Sequence, residues 1–395
     1  MAAARTIVIA GAGIGGLTAA LALTARGFRA HVLDQAERLE ETGAGLQLAP
    51  NATRVLLALG LGARLQPVAV APQAIVIRRA ASGSEIVSIP LAEAPARYGA
   101  PYWVVHRGDL HSALIEAARA RDVSFDLGAR VEGFAIHAAG ITVKATRGGA
   151  AVNVDGSALV GADGLGSAVR EELGDRRPPC FARRVAWRTL VPSEMAPPAA
   201  RAPAVQLWLG PGAHLVHYPV AGGRLINVVA IAEDAWHGAG WSTASAPAEV
   251  LARFSLGRWS RHARDLLGMP ERWLKWALHD RPALGNWGAG PVTLLGDAAH
   301  PMLPFLAQGA AMAIEDAAVL ANALAAHRDN VPQALRRYER QRQPRTARLQ
   351  RSARRLGALY HWRGPMADAR NLALRALGGE RLRARYDWIY DWRPA

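Results

Sequence analysis

Cysteine and lysine are almost missing from this 395-residue chain. The single cysteine, Cys180, excludes an intramolecular disulfide and a thiolate metal cluster. It is compatible with a reducing compartment, and a cytoplasmic location is expected. Lysine occurs only at Lys144 and Lys275, so arginine carries nearly all of the net charge of +15. With alanine and glycine also abundant, that excess reads as composition bias and not as a nucleic-acid footprint. The arginines are scattered except over 336–355, which reads as a solvated helix face. The positive field would still steer anionic nicotinamide cofactors or aromatic acids inward. Long uncharged apolar runs are lacking too. Residues 6–25 follow Arg5 in the manner of a leader, but they hold glycines at motif spacing. No other run spans a membrane without charges or prolines, so no integral membrane association is expected. With half the residues apolar and a fifth charged, the chain is globular, with one large domain or two interleaved ones.

Three glycine-acid motifs stand out. Residues 6–10 form a short β-branched run, followed by Gly11-Ala12-Gly13-Ile14-Gly15-Gly16 and a helical face of Leu17, Ala20, Leu21 and Thr24. Residues 28–33 read as a second strand ending at Asp34. In this β-α-β unit Gly11 permits the tight turn, Gly13 lets backbone approach a pyrophosphate, and Gly16 lets helix and strand pack. The helix N-terminus favours the negative charge. Asp34, eighteen residues after Gly16, can accept ribose hydroxyls. Asp163 and Gly164 follow a strand in the same manner, with Ser167 and Arg170 completing the pattern. Asp297 follows the strand 292–295, and the chain then runs through Pro304 to a helix starting at Gly309 and Ala310. That electropositive helix end would stabilise charge on a reduced flavin. Three motifs over most of the chain imply one long dinucleotide, FAD, and a redox enzyme.

Between the second and third motifs the texture changes. Residues 185–191, 205–209, 214–220 and 225–231 read as antiparallel strands. The pair 75–78 and 85–89 reads as a hairpin. Asn51 is expected to cap a helix ending near Gly60. Trp273 and Trp276, at helical spacing, are expected to pack a helix. The implied α/β (α+β mixed) architecture has an FAD-binding domain over 1–71, 99–180 and 282–350. A substrate domain covers 72–98 and 181–281, and a C-terminal helical segment 351–395. No second glycine motif follows a strand, so the electron donor has no fold of its own.

These residues resemble the FAD-dependent aromatic hydroxylases, the class A flavoprotein monooxygenases that include salicylate, 3-hydroxybenzoate and 6-hydroxynicotinate hydroxylases. The segments 163–170 and 296–309 carry the resemblance most specifically, with 45–51 and 107–110 also matching. Asp34 departs from it, since many relatives hold glutamate there. The resemblance implies a Rossmann-like domain of the glutathione-reductase and p-hydroxybenzoate-hydroxylase type, with an interleaved antiparallel substrate sheet. It implies that Arg107 contacts the flavin end of FAD, that Pro304 lies beside the reactive flavin face, and that Asp163-Gly164 serves both FAD and transient NADH or NADPH. The partners it implies are O2 and a small aromatic acid, hydroxylated through a C4a-hydroperoxyflavin. A homodimer is compatible with it. A lipophilic ring as substrate, or a non-enzymatic basic FAD-holding protein, are the alternatives.

Ring attack on an electrophilic oxygen needs an electron-rich ring, so a base near a phenolic hydroxyl is useful. His214, Val216 and Tyr218 share a strand face, with His217 on the other. That geometry separates the two histidines, and no metal site is expected. His214 and Tyr218 match the family's pocket pair and, with Pro304, are the candidate catalytic residues. Read alone, without the resemblance, they are better taken as half-buried sheet residues with satisfied hydrogen bonds. Gln47 is a further pocket candidate through the same resemblance. His300 reads as structural. Trp187-Arg188 faces either the pocket or the outer surface.

Overall fold

A computed structural model describes residues 5–39, 44–238, 240–254 and 258–394. Residues 1–4, 40–43, 239, 255–257 and 395 of the expected domain ranges lie outside the described residues. β-branched and aliphatic residues at 6–10 build the central strand Thr6–Ala10 of a five-stranded parallel sheet. Its neighbours are Arg29–Asp34 and Ala158–Gly161, with Ser124–Leu127 and Val292–Leu294 outside them. All three acid motifs therefore leave the same sheet at the ends of adjacent strands, where open α/β sheets bind ligands. The helices Ile14–Thr24 and Gly309–Ala326 pack together over it. The second is long and apolar enough for a membrane span, yet two-thirds of it is buried in this core.

The expected hairpin and antiparallel strands join in one eight-stranded sheet. Ala74–Arg79 pairs with Glu85–Pro90, and it lies parallel to Val205–Gly210. Trp273 and Trp276 belong to the strand Trp273–Asp280 of this sheet and not to a helix. Their spacing of three gave the helical reading, but pairing along Cys180–Pro192 decides the conformation. Asn51 is likewise not a cap. It lies inside the helix Pro50–Ala58, and its amide donates to Gln308 Oε1 at 3.1 Å and Glu315 Oε1 at 2.6 Å.

The arginine-rich stretch is a solvated helix face only in part: Arg337, Arg340, Arg348, Arg351 and Arg355 are exposed, but Arg342 is buried. The helix Val331–Tyr360 runs unbroken through the expected boundary at 350 and buries Arg342 against the Gly309–Ala326 helix. Arg342 donates to Glu315 at 2.5 Å and to Asp316 at 2.6 Å, and Arg345 adds a bond to Glu315 at 2.7 Å. Buried carboxylates need such partners, because an unpaired charge in the interior is costly. His300, expected to be structural, bonds Asp316 at 2.5 Å, and Gly296 N donates to it at 3.0 Å. The third motif is thus tied to the helix that follows it.

Burial alone would push the Asp316 carboxyl up, but His300 and Arg342 outweigh it and hold it down at about 2. Unfolded, it returns to roughly 3.9. A native value below the unfolded one gives stability that is present above about pH 4 and lost as pH falls toward 2. The expected loss is on the order of 2 kcal/mol. Urea midpoints should drop over that window, and Arg342→Met should flatten the drop. Equal acid sensitivity in both proteins would assign it to other groups.

Candidate active site

The strand Thr6–Ala10 ends in a loop whose glycines are crowded on two sides. Gly11 has φ +103°, and a Cβ there would meet Ala162 O at 2.4 Å; one at Gly16 would meet Gly11 O at 1.9 Å. At Gly13, the residue before the Ile14–Thr24 helix, a Cβ would meet nothing within 4 Å. The middle glycine therefore faces open space in a cleft of about 260 Å³, shared by Gly11, Gly13, Asp34, Asp163 and Gly164. The first two motifs, 150 residues apart in the chain, meet here. Asp34 accepts from Ala12 N at 2.6 Å and Ala36 N at 2.8 Å, so it braces the loop it borders. Asp163 takes the Ser167 hydroxyl at 2.5 Å and Val169 N at 3.1 Å, which fixes the short helix after it.

Asp297 lies in the turn Gly296–Ala298, at the end of the sheet. Its side chain is open on one side but otherwise walled by protein. That setting pushes its carboxyl up, against the pull of His300 and Arg107. Arg107 begins the helix Arg107–Arg119 and is close enough for both Asp297 and Arg188 to feel its charge. Gly309 and Ala310 open the Gly309–Ala326 helix, entered through Ala307 in the left-handed conformation, φ 51°.

Between that entry turn and the eight-stranded sheet is a second, small cavity of about 80 Å³. Gln47, His214 and Pro304 all line it. His214 stands on the strand Ala213–Val220, opposite Leu209, and Leu207 and Val216 share its face. Pro304 comes from the turn Pro304–Leu306. Gln47 comes from the ribbon of Gly45–Leu48 and Trp103–His106, and Tyr102 donates to its Oε1 at 2.7 Å. Tyr218 stands one step back and does not line the cavity. It is buried behind Gln47, which engages its hydroxyl, and a Cβ at Gly45 would strike its ring. Burial pushes its hydroxyl well up. His217 points to the opposite face of the sheet, as expected.

Sequence reasoning missed His361. It ends the long C-terminal helix, and its Nε2 lies 2.9 Å from His214 Nδ1. Its Nδ1 is 3.3 Å from Arg184 and 3.7 Å from Glu233, which is half-exposed. Burial, then His361 and Arg184, pull His214 well below the ordinary histidine value; burial and nearby arginines hold His361 down at about 3. Both rings are neutral at pH 7. Tyr360, Tyr386 and Tyr390 from the C-terminal segment also wall the cavity. No local motif marks any of these residues, because only packing of the last helices brings them in. The open question at Trp187-Arg188 is decided by the sheet. Trp187 is in the far core, bonded to Ser245 at 3.1 Å, while Arg188 faces Tyr218 and Arg107. Its Nε is buried with no partner among the described residues.

Residues 4–353 match the FAD binding domain family. The chain belongs to the FAD-dependent aromatic hydroxylases. Along 389 residues the hydroxylase is 39% identical to the 3-hydroxybenzoate 6-hydroxylase of Polaromonas naphthalenivorans (strain CJ2), covering 98% of this chain and 96% of the relative. It is 38% identical to the 3-amino-4-hydroxybenzoate 2-monooxygenase PtmB3 of Streptomyces platensis, covering 98% and 96%. Its fold superposes on Klebsiella pneumoniae HpxO complexed with FAD and uric acid with a TM-score of 0.85, at 27% identity, over 96% and 94% of the chains. FAD is the cofactor of this hydroxylase and NAD(P)H its donor. The open face at Gly13, the braced Asp34 and the solvent-open Asp297 suit a dinucleotide laid across the strand ends. Asp297→Ala should weaken FAD binding by about 1–3 kcal/mol, the cost of losing one acceptor in a partly buried site. Fluorescence titration of the apoprotein checks this, and wild-type affinity would reduce the third motif to a turn.

Proposed function

We propose that this hydroxylase acts on a single-ring aromatic acid bearing a phenolic hydroxyl, of the 3-hydroxybenzoate type, with His214 as the proton acceptor. The observation that carries the reading is the meeting of His214, Gln47 and Pro304 in one small cavity beside the start of the Gly309–Ala326 helix. Bound FAD, reduced by NAD(P)H, supplies electrophilic oxygen taken from O2. The chain's own residues prepare the ring. Aromatic walls from Tyr102, Phe305 and Tyr360 hold the ring flat. A neutral His214 accepts the phenolic proton, which raises the electron density of the ring. Because burial disfavours a lasting imidazolium on one ring, His361, 2.9 Å from His214 Nδ1, shares the proton. Arg188, half-buried and near Tyr218 and Arg107, supplies the cation that an aromatic carboxylate needs. Gln47 orients the hydroxyl, and Tyr218 behind it holds Gln47 in place.

The test is NAD(P)H oxidation by the FAD-loaded protein with a panel of benzoates. Stimulation by 3-hydroxybenzoate, with a dihydroxybenzoate formed, is the expected result. Stimulation only by uncharged bicyclic rings would overturn the reading.

A further inference from the structure

The eight-stranded sheet has a second concave face, and it is furnished as a binding site. Along Val205–Gly210, residues alternate between the two sides. Val205 and Leu207 line the His214 cavity, while Gln206 and Trp208 line a larger one of about 390 Å³ on the opposite face. His217 is paired with Gln206 and Arg78 with Trp208, so these four side chains share that face. The Arg78 guanidinium lies 5.8 Å from the centre of the Trp208 ring. It is held by Gln206 Oε1 at 2.7 Å and Gly83 O at 3.1 Å, and those two bonds leave further donors of its fork unassigned.

Two polar atoms here lack partners among the described residues. Trp208 Nε1 and His217 Nδ1 are both buried, on side chains that are 8% and 3% exposed, and both side chains line the cavity. Buried donors and acceptors are rarely left unpaired, because each costs about 1–3 kcal/mol. The Trp208 and His217 rings are 6.3 Å apart and tilted by 33°, and Pro197, Ala200 and Leu266 add an apolar wall. Asp265 and His262 also line the cavity, with Asp265 exposed and 3.8 Å from Arg261. Flat aromatic surface, one fixed cation and an orphaned indole N–H suit a planar anion.

We propose that this cavity is a second ligand site, separate from the His214 cavity, for a planar aromatic carboxylate. The carboxylate meets Arg78 and Trp208 Nε1, His217 Nδ1 pairs with a polar ring substituent, and Pro197, Ala200 and Leu266 cover the ring. The site stands on its own geometry; the identity of its ligand with the substrate class rests on the reading of the His214 cavity.

The test is equilibrium dialysis of the FAD-loaded protein against 3-hydroxybenzoate without NAD(P)H, alongside the flavin difference spectrum, which reports the His214 cavity alone. Two molecules per chain are expected. Arg78→Met should remove one, and Ala200→Phe, which fills the cavity from the apolar side, should remove the same one. Neither should alter the amplitude of the flavin spectrum. A stoichiometry unchanged by both variants overturns the site. One molecule per chain, lost in Arg78→Met and without any flavin perturbation, would sustain this site and overturn 3-hydroxybenzoate as the ligand of the His214 cavity.

Discussion

Gly13→Val is expected to yield a folded, colourless protein. The glycine sits in extended backbone, φ −70° and ψ 179°, which valine adopts without strain. Its Cβ would touch no protein atom within 4 Å, so the apoprotein has room for the side chain. The space it fills is the one that the pyrophosphate needs, at the N-terminus of the Ile14–Thr24 helix. Wild-type protein should carry one FAD per chain, and the variant close to none, with a thermal transition like that of the wild-type apoprotein. Gly16→Val is a contrasting control. A Cβ there collides with Gly11 O at 1.9 Å, so that variant should lose stability as well as flavin. Full flavin occupancy in Gly13→Val would mean that the pyrophosphate lies elsewhere.

The second large effect is expected at His214. His214→Ala should slow hydroxylation by about 10²–10⁴-fold, the range for a directly acting general base. FAD content should stay near wild type, since the residue is on the substrate sheet and outside the Gly13 cleft. Oxygen not transferred to the ring should leave as hydrogen peroxide, so product formed per NAD(P)H consumed should fall. The pH profile supplies an independent readout. Burial holds His214 well below the usual histidine value of about 6.5, so it stays neutral and able to accept a proton into mildly acid solution. The acid limb of wild-type turnover should therefore fall below that value. His361→Phe removes the partner of Nδ1 and should give a smaller loss of the same kind. Unchanged coupling and pH profile in both variants, and in Tyr218→Phe, would leave the base unassigned.

Local chemistry made much of this protein legible in one dimension. The glycine loop, the acids at strand ends and the helix start at Gly309 depend on backbone conformation and on groups a few residues apart. Such features are written in short stretches of sequence. Strand alternation likewise separated His214 from His217, and the structure places them in different cavities. Periodicity failed where pairing or burial overrides local preference. Trp273 and Trp276 have helical spacing but lie in a strand, because the sheet offers them partners. Arg342 looks like surface charge in the sequence and is buried, because Glu315 and Asp316 on another helix need a cation. His361, Tyr386 and Tyr390 reach the His214 cavity from the last helices, and Arg188 comes to Arg107 across the domain junction. Nothing near any of these residues in the chain encodes its partner. The cofactor and the reaction class were set by contacts within short segments; the walls of the substrate cavity, the partner that shares its proton and the second face of the sheet were set by long-range packing, which brings together side chains hundreds of residues apart.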